Sequence, residues 1–116
     1  MKKIYVFLFL IICGLNQSFA QTKTEEDAVK ATINLLFDGM RNSDTTAIRK
    51  AFAAKNIMET IAVNKDGKAM VRTDNINNFI KSIGTPHPEK YDERIVFTKV
   101  LIDANLASVW TDYKFY

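Results

Sequence analysis

Proton transfer near neutral pH needs a histidine, or a carboxylate or phenol whose surroundings have shifted its hold on the proton. The chain has one histidine, His87, set between Pro86 and Pro88. That is a stiff loop, and its plainest reading is an exposed histidine. Asp38 stands beside Leu36, Phe37 and Met40, at the rim of an apolar helical stripe, where a carboxylate is ordinarily solvated. Tyr113 alternates with Val109, Thr111 and Phe115 along one face of the last β-like segment. A tyrosine there usually packs its ring and leaves its hydroxyl at the edge. No Ser/His/Asp set, glycine-rich phosphate loop or metal-spaced cluster of His, Asp and Glu accompanies these residues. Taken alone they make no catalytic set, and neither a metal nor a cofactor is expected.

The N-terminus addresses the chain rather than its chemistry. Lys2 and Lys3 precede an uncharged apolar run, Ile4 to Leu15, and Asn16 to Ser18 then turn polar. Ser18 and Ala20 put small residues on either side of Phe19, as a signal peptidase requires. Residues 1–20 therefore read as a secretory signal cleaved between Ala20 and Gln21. A spanning helix needs about 20 apolar residues, more than this run offers. Lipidation at Cys13 would want a small residue before it, and Ile12 is large. Export to the periplasm or medium follows, with no membrane association after cleavage.

Cleavage also changes the charge. The 16 basic and 13 acidic side chains give +3, and losing Lys2 and Lys3 leaves 14 against 13, or +1. The remaining lysines are scattered among acids, which excludes the clustered basic face of a nucleic-acid binder. Cys13 is the only cysteine, so residues 21–116 hold no thiol, no disulfide and no thiolate ligand for a metal. That length suits a single small domain.

The elements that must position the candidates follow from periodicity. Thr22 and Thr24 precede Glu25, Glu26 and Asp27, a helix start with acids at the positive end of the dipole. Val29, Ile33, Leu36, Phe37 and Met40 form its stripe, and Gly39 with Asn42-Ser43 is read as its end. Asp44 caps a second helix that buries Ile48, Ala51 and Phe52. Alternation from Ile57 to Val63, a turn at Asn64 to Gly67 and a return over Ala69 to Arg72 predict a hairpin. A third helix should start from a cap at Asp74, bury Ile76, Phe79, Ile80 and Ile83, and close at Gly84 before Pro86. Arg94 to Ile102 and Leu106 to Tyr116 predict a long second hairpin about Asp103-Ala104-Asn105. Ser108, Trp110, Asp112, Lys114 and Tyr116 share the face opposite Tyr113.

This order, with the wording Asn105 to Tyr116 (NLASVWTDYKFY), Phe37-Asp38-Gly39-Met40 and Phe52 followed by Ile57, resembles the nuclear transport factor 2-like superfamily. Within it the wording is similar to that of exported bacterial SnoaL-like or lumazine-binding members, over nearly all of residues 24–116. The resemblance implies an α+β cone, with two or three N-terminal helices packed on one curved antiparallel sheet. It also implies further strands after Tyr116, so the domain is expected to be incomplete. Members of the family hold an apolar pocket between the first helix and the sheet, lined here by Phe37, Met40, Phe52 and Tyr113.

Three functions are compatible with that likeness. The leading one is a binding domain for a small apolar or aromatic molecule. The second is an isomerase, cyclase or dehydratase using Asp38 or His87 with Tyr113. The third is a homodimer or assembly module that uses the open sheet face, where Trp110 and Tyr116 would form the interface.

Overall fold

The structure is a computed structural model and describes residues 23–116. The expected cleavage point at Ala20 and Gln21 lies outside the described residues. Over the described residues the fold is α+β, with three helices and two small antiparallel sheets in the predicted order.

Helix α1 covers 23–42, so Thr24, read as a cap, already lies inside it. Its end is fixed by backbone geometry. Ser43 takes a left-handed φ of 54°, its N–H bonds to the Met40 carbonyl (3.2 Å), and Asp44 N–H bonds to the Gly39 carbonyl (2.8 Å). These paired closing bonds satisfy carbonyls that would otherwise be orphaned. Asp44 then starts α2 (Thr45–Ala51), its Oδ1 accepting from the N–H groups of Thr46 and Ala47. One residue thus ends one helix and caps the next.

Gly39 does not stop α1, contrary to its sequence reading. It is a buried helical residue at which a Cβ would lie 2.8 Å from Ile48 Cγ1. The missing side chain lets α2 cross close over α1. Ile48 becomes the fully buried centre of the core, with Met40 from α1 and Ile80 and Ile83 from α3 (Ile76–Gly84). Leu36, Phe37, Phe52, Ile76 and Phe79 pack around these four. At the end of α3, a Cβ on Gly84 would meet Thr45 Cγ2 at 2.7 Å, a second close crossing. The α3 cap is Asn75, whose side chain accepts from Asn77 N–H, and not Asp74. Asp74 is held in β2, opposite Met58 and bonded by the guanidinium of Arg72.

The strands β1 (Met58–Val63) and β2 (Ala69–Asp74) form a hairpin whose turn uses Gly67 at φ 77° and the Asn64 side chain, which accepts from Asp66 and Lys68 N–H. Ile61 and Val71 pair across it and both stand in solvent. The second hairpin joins β3 (Glu93–Asp103) to β4 (Leu106–Phe115), with Ala104 at φ 48° in its tight turn. A bulge between Phe97 and Lys99 lets the Thr98 hydroxyl donate to the Trp110 carbonyl (3.0 Å). Among the described residues the two hairpins are separate two-stranded sheets rather than one curved sheet. Only β3 has a regular half-buried face: Glu93, Ile95, Phe97, Val100 and Ile102 alternate with exposed neighbours. Lys30 of α1 sits over the Phe97 ring at 5.7 Å, and Arg41 meets Asp92 at 3.3 Å, so α1 lies along this face.

Candidate functional site

The residues expected to line one pocket are divided between two parts of the fold. Met40 is buried in the helical core, with Phe37 and Phe52 packed against it. Tyr113 is 64% exposed on the outer strand and is not part of that cluster. Of the four, Phe52 borders a cleft of about 460 Å³, between the end of α2 and the first turn of α3. Asp38 is exposed and ion-paired to Arg41 Nη2 at 3.1 Å, one turn along the same helix. Trp110 and Tyr116 are exposed.

His87 is the correction that matters most. It is not the exposed loop side chain that its flanking prolines suggested. It is half-buried, its ring meets Tyr91 edge-on with centroids 4.3 Å apart, and its Nε2 is shielded from solvent without a hydrogen-bond partner. A shielded ring nitrogen without a partner is uncommon, because losing water without a replacement costs about 1–3 kcal/mol.

Two clefts meet at this histidine. The first, about 430 Å³, is bounded by His87 to Tyr91 on one side and by Phe115 and Tyr116 at the end of β4 on the other. The second, about 460 Å³, runs from His87, Glu89 and Lys90 to Arg41, Asn42 and Ser43 at the α1 end and to Gly84, Thr85 and Pro86 after α3. Its wall includes a second shielded nitrogen, Arg41 Nε, which lies 3.3 Å from Asp92 Oδ1 as an ion pair but makes no hydrogen bond. The loop after α3 thus meets two segments far from it in sequence, the end of α1 and the end of β4.

A charge network fixes the rim. The Arg94 guanidinium grips Asp92 with two hydrogen bonds, Nε to Oδ1 at 3.1 Å and Nη2 to Oδ2 at 3.0 Å. These bonds, with the nearby charges of Arg94, Arg41 and Lys90, hold the Asp92 carboxyl below its ordinary range against the opposing effect of burial. Glu93, half-buried at the start of β3, is pushed the other way by burial. The Asp92 carbonyl accepts from Tyr116 N–H (3.0 Å), and the Tyr116 ring lies under Arg94 at 4.5 Å and Lys114 at 5.3 Å. Tyr116 is therefore a positioned wall.

Aromatic walls at Tyr91, Phe115 and Tyr116, beside the cation of Lys90 and the free nitrogen of His87, suit a flat ring carrying hydrogen-bonding groups. Among the described residues no three His, Cys, Asp or Glu side chains converge to hold a metal ion. Within the same residues, no helix is long and apolar enough to cross a membrane. No protein-family model, curated protein or solved structure matches the chain.

Proposed function

We propose that the protein is an exported small-molecule-binding domain whose site is the pair of clefts meeting at His87. The observation that carries this reading is the shielded, unpartnered Nε2 of His87 at their junction. A ligand atom there would satisfy the nitrogen, while Tyr91 and Tyr116 offer ring faces or edges to a planar molecule. The ligand class is a flat heterocycle with exocyclic oxygens or ring nitrogens, consistent with the lumazine-binding resemblance of the sequence. The same reading takes the chain as part of a nuclear transport factor 2-like cone. What supports that is the element order and the half-buried face of β3 turned to α1.

Lumazine is the first probe, titrated against the protein and followed by calorimetry or quenching of Trp110. His87→Ala should weaken binding about tenfold, a loss of about 1.4 kcal/mol, without lowering the melting temperature. His87→Gln, which keeps a polar group near Nε2, should recover part of the loss. Equal affinity in the wild type and His87→Ala would remove the site, and no binding of any flat heterocycle would remove the ligand class.

A further inference from the structure

The cleft of about 460 Å³ beside Phe52 shares no residue with the two clefts at His87. All its walls come from the end of α2, the segment after it and the start of α3, and none from β3 or β4. Its inner side is apolar. Phe52 and Ile76 are half-buried there, and Ile80 belongs to the buried core.

The rim is cationic. Arg49, in the last turn of α2, donates from Nη1 to Asn77 Oδ1 at 3.1 Å, a bond that ties α2 to α3 and fixes the guanidinium beside the cleft. That bond uses one of five N–H groups. Of the four arginines among the described residues, Arg41, Arg72 and Arg94 each pair with an aspartate. Arg49 alone is held by a neutral amide. No acid nearby can replace that amide. From Thr45 to Met58 the chain carries Arg49, Lys50 and Lys55 and neither Asp nor Glu. The first turn of α3 has no acid, and Asp74 before it is taken by Arg72. A cation that merely complements the end of α2 would need neither the amide clamp nor the apolar wall.

We propose that this cleft binds a small carboxylate with a flat apolar body, the carboxylate on the remaining N–H groups of Arg49 and the body against Phe52, Ile76 and Ile80. A guanidinium presents its N–H groups in pairs that match carboxylate oxygens. Lys50 and Lys55 add attraction for the anion. An uncharged molecule would leave the guanidinium without its opposite charge, and a cation would be repelled.

The test uses protein recovered from cells expressing the full chain, titrated by calorimetry with naphthoate and with naphthamide, its uncharged counterpart of the same shape. Naphthoate should bind at least about tenfold more tightly than naphthamide, and added salt should narrow the difference. Arg49→Met keeps the aliphatic stem at an exposed position and should remove the preference, which Arg49→Lys should restore in part. Asn77→Ala frees the guanidinium without removing it, so it should weaken naphthoate and leave naphthamide unchanged. His87→Ala should alter neither affinity, which separates this cleft from those at His87. Absence of naphthoate binding overturns the proposal, as does equal affinity for the acid and the amide. So does a preference that survives Arg49→Met, or binding that is lost in His87→Ala.

Discussion

Replacing Gly39 by alanine sets two effects of known sign against each other. Glycine inside a helix is unfavourable by about 1 kcal/mol relative to alanine, so on propensity alone Gly39→Ala should stabilise. The added Cβ, however, would lie 2.8 Å from Ile48 Cγ1 and 3.2 Å from both Asp44 O and Ile48 N. Ile48 has no free surface and is β-branched within a helix, so its χ1 cannot turn the Cγ1 aside. The backbone contacts offer no easier escape, because Asp44 both closes α1 and caps α2. Overpacking of this kind costs about 1–3 kcal/mol, which offsets the propensity gain of about 1 kcal/mol and leaves a net loss of up to about 2 kcal/mol. Urea unfolding followed by far-UV circular dichroism measures it. Ile48→Ala alone should cost about 2–5 kcal/mol. The double variant should cost at least about 1 kcal/mol less than the sum, because the methyl group added on α1 then fills space that Ile48 has vacated. A Gly39→Ala protein more stable than the wild type, or strictly additive losses, would refute the close crossing of α1 and α2.

The remaining predictions concern the acids at the start of β3 and the turn of the second hairpin. Asp92 is more acidic in the fold than its ordinary 3.8, so its contribution is present above that pH and is lost as pH falls through the lowered folded value. Glu93 is less acidic than its ordinary 4.5, so its contribution is present below that pH and is lost as pH rises through the raised folded value. Unfolding of Asp92→Asn should show a deficit at neutral pH that narrows in acid. Glu93→Gln should show a gain at neutral pH that vanishes in acid, and parallel curves for either variant would contradict the environments described. Ala104 holds a left-handed φ of 48°, a conformation costing non-glycine residues about 1–2 kcal/mol. Ala104→Gly should therefore stabilise by about 0.5–1 kcal/mol after its greater unfolded-state freedom is counted, and a thermal melt at lower temperature than the wild type would contradict that.

Local patterns carry most of the fold. The stripe of Ile76, Phe79, Ile80 and Ile83 marks α3, and the short side chain of Asp44 marks the start of α2, because both signals act within one or two turns. Asp74 and Asn75 show where that legibility ends. Both can cap a helix, and pairing of Asp74 with Met58 and Arg72, settled by a strand elsewhere in the chain, gives the role to Asn75. Gly39 misleads for a similar reason. In sequence a glycine near a helix end suggests a stop, whereas its use here depends on Ile48, nine positions later, crossing above it.

The candidate site is the least legible part, because no periodicity generates it. Arg41 comes from the end of α1, His87 from the loop after α3 and Tyr116 from the end of β4, and only the folded chain puts them around adjoining clefts. The two prolines beside His87 do signal stiffness, but stiffness has no direction, and the side of the loop on which the ring lies is a tertiary fact. Tyr116 carries this furthest. Its N–H bond to Asp92 and its ring under Arg94 and Lys114 make it a wall of the His87 cleft, although Asp92 and Arg94 stand more than twenty positions before it.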